Sequence, residues 1–268
     1  MNFAVFDAPK PYVSAREAAG IVREVYDLDG VAEPLPGERD QTFKVSTHAE
    51  TYVLKVGSLE DRADALDGQA GGIEHALRAN ALLPVPEVIR SISGKLSGRH
   101  MGHGVQLTTF VDGMHPPRTH TSPGLRRATG NLAGRLSRAL RGYDHPALHR
   151  EFPWDLGQLR DLAPLVGDVE PGLKSDIEVV FERFERTFLP LIEGLASQAL
   201  HGDINPDNMV VDPSDPERIV GLFDFGDMTW GPRIFELAVA SAYQGLGADP
   251  VAAMIQTAAS FHMVDPLE

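Results

Sequence analysis

Two short polar motifs late in the chain dictate how two distant stretches must meet. The first reads His201-Gly202-Asp203-Ile204-Asn205-Pro206-Asp207-Asn208, and the second reads Phe223-Asp224-Phe225-Gly226-Asp227. Between them, Met209-Val210-Val211 and Ile219 to Phe223 are β-rich runs joined by Pro213 to Arg218, which is a hairpin pattern. Pairing of its strands brings the two ends, Asn208 and Asp224, together. Any one of these residues alone reads as an Asx-turn or a hairpin end. The whole set in this order reads as a site.

An Asp, an Asn five residues later, a hairpin and then Asp-Phe-Gly is the order of parts used in phosphoryl transfer. A hydroxyl that attacks a γ-phosphoryl group needs a carboxylate within hydrogen-bond reach, and Asp203 fits that role. Magnesium is a hard cation that prefers oxygen ligands and keeps several waters, so one amide oxygen and one carboxylate suffice. Asn208 and Asp224 are the candidate metal ligands. Gly226 follows where the backbone must turn beside the metal. His201 suits support of the catalytic loop by hydrogen bonding.

Lys55 lies inside an apolar strand, Tyr52-Val53-Leu54-Lys55-Val56. In kinases a lysine on the third strand reaches the α/β-phosphates and is oriented by a Glu on the following helix. Glu74 flanks the apolar stripe at Ile73 and Leu77 and is the expected partner. The turn Leu35 to Gln41 has one glycine, Gly37, and does not fit G-x-G-x-x-G. It can still present backbone N–H groups to phosphate. The nucleotide base is expected against Thr108, Thr109 and Phe110, exchanging backbone hydrogen bonds.

Acidic residues number 38 and basic ones 24, a formal net charge of −14, which argues against a nucleic-acid surface. There is no cysteine, which excludes disulfides, thiolate metal sites and cysteine nucleophiles. No signal-peptide pattern opens the chain and no apolar run has the length of a membrane span, so the cytoplasm is the expected compartment. Ser14 is placed to cap a helix over 15–26. Strands are expected at 41–45, 51–56, 88–90 and 105–110. Ser58 and Asp61 make a capping-box-like start to a helix that carries Gly68, Gly71 and Gly72, each costing roughly 1 kcal/mol relative to Ala. Pro123 follows Ser122 at a helix start. Ile177, Val180, Phe181, Phe184, Phe188 and Leu191 mark the strongest amphipathic helix, which Pro190 ends or kinks. Further helices are expected at 234–246 and 250–262.

Lys55, Glu74, His201-Gly202-Asp203, Asn208 and Asp224-Phe225-Gly226 together resemble the aminoglycoside phosphotransferase-like kinases. Gly37 to Phe43, Tyr52 to Val56, Trp154-Asp155-Leu156 and Asp224 to Met228 are most similar to the hydroxylysine kinase branch. Thr42 stands where that branch often has Asn. Relatives usually continue through further helices past the point where this chain stops. The resemblance implies an α+β, two-lobed protein-kinase-like fold: a small antiparallel sheet with one helix in residues 1–104, a linker at 105–112, and a helical lobe with the catalytic hairpin in 113–268. It implies ATP or GTP as donor, Mg2+ as cofactor and a small-molecule alcohol as acceptor, with no nucleic acid or membrane partner. Some members are the front part of larger fused enzymes, which implies a neighbouring domain in relatives.

The loop face also carries Asp207, Asp227 and Glu236, with Trp154 and Asp155 able to fold back towards it. One or two of these carboxylates can grip an ammonium group, so an amine-bearing alcohol is the expected acceptor, and the resemblance implies a hydroxylysine-like one. Aminoglycoside, homoserine or choline-type acceptors, and a catalytically silent nucleotide-binding module, stay open as alternatives. A protein kinase is disfavoured, because Asp224 to Pro232 leaves no room for a long activation segment.

Overall fold

The computed structural model describes residues 10–267 apart from 38, 60, 61, 63, 152 and 248. Helix α1 (Ala15–Tyr26) starts at a capping box, in which the Ser14 side chain accepts the Glu17 N–H and Glu17 accepts the Ser14 N–H. An antiparallel sheet follows, made of β1 (Val31–Leu35), β2 (Gln41–Ser46), β3 (Thr51–Val56), β4 (Val88–Ile89), β5 (Gly98–His100) and β6 (His103–Thr109). Its order is β1-β2-β3-β6-β4, with β5 paired to β6. Alternation splits the strands into two faces. Phe43, Val45, Tyr52, Leu54, Val56, Val105 and Leu107 form one face and pack under Ala18, Ile21, Val22 and Tyr26 of α1. Lys55 points to the other face, level with Thr42 on β2 and Gln106 on β6.

Helix α2 (Ala65–Ala79) lies on the Lys55 side, where Gln106 Nε2 donates to Leu66 O at 3.5 Å. It starts at Ala65, later than the Ser58 start read from sequence, and Asp61 lies outside the described residues. Its glycines are contact points: a Cβ would fall 3.0 Å from His145 at Gly68, 2.5 Å from the Tyr143 hydroxyl at Gly71, and 2.6 Å from Met228 at Gly72. Ile73 and Ala76 join the helical core of Leu132, Leu136, Met209, Leu222, Phe225 and Phe261. The helix inserted in the sheet thus belongs by packing to the second half.

The expected linker at 105–112 is corrected. Residues 105–109 are sheet, because β6 pairs with both β3 and β4 through Thr108, and the chain leaves the ladder only at Phe110. The second half contains α3 (Pro123–Ala139), α4 (Pro171–Arg183), α5 (Leu189–Ile192), α6 (Ile234–Gln244) and α7 (Pro250–Val264). Strand β7 (Ser197–Leu200) pairs antiparallel with β10 (Thr229–Pro232), and β8 (Met209–Asp212) with β9 (Asp215–Leu222). The amphipathic stripe of 177–191 is not buried: Val180 and Leu191 are exposed, and α4 buries no residue fully. Between α4 and α5 the helix widens to a π-turn, Leu189 N–H donating to Phe184 O, just before Pro190, which lacks an N–H to continue the ladder. Among the described residues no helix is long and apolar enough to cross a membrane.

Candidate active site

The strand pair β7–β10 frames both polar motifs. Leu200, the last residue of β7, pairs with Thr229, the first of β10, so the 201–208 loop and the 224–228 turn leave the same end of one ribbon. Gly202 has φ of +81°, and a Cβ there would sit 2.9 Å from Asp227 O, so glycine is required where the loop crosses the turn. The other end of each motif is held by the hairpin, with Met209 opposite Leu222 and Phe223 N–H donating to Asn208 O at 3.0 Å.

Two amides hold the Asp203 carboxylate. Asn205 Nδ2 donates to Oδ1 at 2.6 Å and Asn208 Nδ2 donates to Oδ2 at 2.7 Å. With its NH2 turned to Asp203, Asn208 has its amide oxygen left for another partner. Asn205 escaped the sequence reading. It also caps the turn at Pro206–Asn208, accepting from Asp207 N and Asn208 N, and the Asn-Pro-Asp pattern was the signal for it.

His201 is fully buried between the motifs. Asp203 N–H donates to its Nδ1 at 3.2 Å, which leaves the proton on Nε2, 3.2 Å from Phe223 O. Burial pulls its pKa down to about 4 despite the pull of Asp224, so the ring is neutral near pH 7.

Glu236 is a correction. It does not face the site; it is buried in α6, accepting His201 N–H at 2.7 Å and Gly202 N–H at 3.3 Å. Burial raises its pKa to about 7, against the two N–H donors that favour its charge. Asp207 is a second correction: it faces outward and pairs with Arg118 at 2.9 Å, because the Pro206–Asn208 turn points its side chain away from Asp203.

Asp224 has φ of +58°, a left-handed conformation unusual outside glycine, and its Oδ1 accepts Gly226 N–H at 3.1 Å. Lys55 Nζ lies 2.7 Å from Asp224 Oδ1 and 3.3 Å from Asp40 Oδ2. The lysine charge holds Asp224 at about 2, below the usual carboxylate range. Burial works against the lysine charge, but Asp224 and Asp40 prevail and raise its pKa.

Glu74, the expected partner, is not at Lys55. Both its oxygens lie 2.7 Å from Arg90 Nη2. Gly72 meets Met228, just after the Asp-Phe-Gly turn, and Glu74 is two residues, about 200°, further round the helix. The phase of α2 therefore turns Glu74 away.

Gly37 sits in the turn between β1 and β2 with its carbonyl taken by Lys10 Nζ. From that turn Asp40 reaches Lys55, and Arg39 lies within electrostatic reach of Asp227. At the end of β6 a cavity of about 630 Å3 is lined by Thr51, Val85, Glu87, Thr109 and Phe110 among others, but not by Thr108, whose side chain is buried in the sheet. The expected exchange of backbone bonds is narrowed, because Thr109 N–H already donates to Glu87 O and Phe110 N–H to Thr51 O.

Trp154, Asp155 and Asp227 do come together, around a crevice of about 10 Å3 beside Gly202 and Phe235, room for no more than a water. Burial, then the charges of Asp203 and Asp224, raise Asp227 to about 6. Arg150, unnoticed in the sequence, donates to Gly226 O at 2.7 Å and Met228 O at 3.0 Å and so ties the turn down.

An oxygen donor set of Asn208 and Asp224 on one hairpin end suits a hard divalent cation. Among the described residues Asn208 Oδ1 accepts no hydrogen bond, which leaves it open to such a ligand.

A profile of the phosphotransferase enzyme family matches residues 31–266, spanning both motifs and Lys55. The chain belongs to that family. Within it, the chain is similar to the hydroxylysine kinase of Danio rerio, 29% identical over 256 residues, with 87% of this chain and 71% of that protein covered. Two solved structures share the fold. A microcompartment-associated aminopropanol kinase matches with a TM-score of 0.72 at 16% identity, covering 95% of this chain and 82% of that one. An amicoumacin kinase in complex with AMP-PNP and Ca2+ matches with a TM-score of 0.71 at 14% identity, covering 96% and 79%. The α+β kinase-like fold of this family is thus the fold of the chain.

Proposed function

We propose that this phosphotransferase moves the γ-phosphoryl group of ATP or GTP to the hydroxyl of a small amine-bearing alcohol, with a hydroxylysine-like acceptor favoured. The observation that carries the reading is the Asp203 carboxylate, pinned by Asn205 and Asn208 on the loop whose hairpin partner is Asp224. Two amide donors orient Asp203 to take the hydroxyl proton as the oxygen attacks phosphorus. Asn208 Oδ1 and Asp224 would hold Mg2+, which supplies neutralisation of β- and γ-phosphate charge. Lys55 adds a fixed positive charge on the sheet side of the same cleft. His201, neutral, ties the loop to the strand before Asp224 and takes no proton. The base-binding lobe in this reading ends with β6, and Thr109 and Phe110 wall the base cavity.

Two of the similar proteins are named for amino alcohols, hydroxylysine and aminopropanol, which supports an acceptor of that class. We assign its ammonium group to Asp227, whose carboxylate lies within electrostatic reach of Asp203 and Asp224. The test is a transfer screen with ATP and GTP against hydroxylysine, homoserine, choline and aminoglycosides, repeated with Asp203→Ala. Transfer to an amino alcohol, reduced by at least ~100-fold in kcat with nucleotide affinity nearly intact in the variant, is expected. No transfer to any acceptor, or near-wild-type turnover by Asp203→Ala, would overturn the reading.

A further inference from the structure

Lys55 needs a carboxylate that keeps it in place once Asp224 is engaged by a cation, and helix α2 does not supply one. The helix carries two acidic residues: Glu74 is held by Arg90, and Asp67 accepts from Ser97 Oγ at 2.7 Å. The polar residue that α2 does bury is the uncharged Gln69, with Oε1 lacking a hydrogen-bond partner among the described residues. Asp40 lies 3.3 Å from Lys55 Nζ, and the two side chains are only 16% and 12% exposed. Its surroundings are built to hold it. The next residue, Gln41, grips the segment before α1 through both ends of its amide: Val13 N–H donates to Oε1 at 2.6 Å and Nε2 donates to Val13 O at 2.7 Å. Gly37, three residues before Asp40, is tied to Lys10.

We propose that Asp40, on the turn between β1 and β2, is the positioning residue that holds Lys55 for the nucleotide phosphates, the role that sequence order assigns to Glu74 on α2. In this design the turn between β1 and β2, and not helix α2, orients the lysine. Asp40 Oδ1 is buried and has no hydrogen-bond donor among the described residues. A buried carboxylate satisfied on one oxygen only is costly, and a turn with no use for the charge would carry Asn or Gly there.

The proposal rests on the phosphotransferase reading, but its first test does not. Lys55 acylation by an amine-reactive ester, mapped by mass spectrometry, reports how firmly the ammonium is held. Asp40→Asn should raise the labelling rate at least about threefold, because the ammonium loses one of its two carboxylate partners and is less firmly held, and Glu74→Gln should leave it unchanged. In steady-state kinetics Asp40→Asn should raise the nucleotide KM at least about fivefold with the acceptor KM unchanged. Asp40→Glu should restore part of this, and the effect should vanish in a Lys55→Met background, where a merely structural role would persist. Thermal melts check that each variant is folded, and Asp40→Ser replaces Asp40→Asn if that one is not. Unchanged Lys55 labelling in the Asp40 variant, or a Glu74→Gln effect as large, would overturn the assignment. A wild-type chain that transfers no phosphoryl group would sink the phosphotransferase reading, while the labelling result still decides Asp40.

Discussion

The backbone N–H of His201 donates to Glu236 Oε2 at 2.7 Å, so a fully buried carboxylate on α6 holds the first residue of the 201–208 loop. Its pKa, raised by burial to about 7, has a consequence for stability. A group whose folded pKa is raised contributes stability that is fully present below its unfolded pKa of about 4.5 and lost as pH rises through about 7. The change amounts to about 3 kcal/mol. Denaturant unfolding between pH 5 and pH 8 should show the wild type losing stability more steeply than Glu236→Gln. Parallel profiles would mean that Glu236 titrates in the folded state as it does in the unfolded chain.

Under the proposed function Asp227 sets a second pH dependence, on acceptor binding. With its pKa raised to about 6 by burial and by Asp203 and Asp224, it is largely neutral at pH 5 and ionised at pH 7. The KM of an amine-bearing acceptor should therefore fall as pH rises from 5 to 7. Asp227→Asn should raise that KM roughly tenfold, abolish the pH trend and leave nucleotide KM little changed. Neutral alcohols used as well as their amino analogues would remove the basis for this role.

Asp224 holds Lys55 at 2.7 Å and has its side chain half exposed toward the cleft. Asp224→Ala should abolish the magnesium dependence of nucleotide binding, and Asn208→Ala should weaken it less severely. Calorimetric titrations with and without Mg2+ measure this. Two variants with the wild-type magnesium effect would contradict the assignment of both ligands.

After α7, Asp265 closes the helical half. It is fully buried, accepting from Ser137 Oγ at 2.8 Å and Arg233 Nη1 at 3.0 Å, and pairing with Arg141. Asp265→Ala leaves Arg233, which is 12% exposed, without its buried partner. A loss of about 3–5 kcal/mol is expected on unfolding in urea, as for other broken buried pairs. A loss below about 1 kcal/mol would show that the cluster is solvated in practice.

Local order in the chain was enough for one end of the site. Asn208 and Asp224 are joined by a hairpin, and hairpin pairing is short-range, so their meeting follows from β-rich runs and a turn. The Ser14 and Ser122 caps were legible for the same reason, because a cap acts within one turn. Lys55 stood out because strand alternation separates it from the apolar face of β3.

What lay beyond the sequence was set by helix phase and by non-local packing. Glu74 and Glu236 are both acids on helices with an apolar stripe, and periodicity gives each a stripe to flank without naming its neighbour. Arg90 and the turn of α2 took Glu74 away from Lys55, and two loop N–H groups drew Glu236 into the core. The stripe of 177–191 reads as a buried face, yet only partial packing meets it, including Phe188 against Phe235 with ring centroids 5.7 Å apart. The pairing of β7 with β10 spans about thirty residues and set the 201–208 loop beside the turn after Asp224. Short-range hydrogen bonding is written in adjacent residues, whereas the partner of a buried charge depends on which surfaces the whole chain brings together.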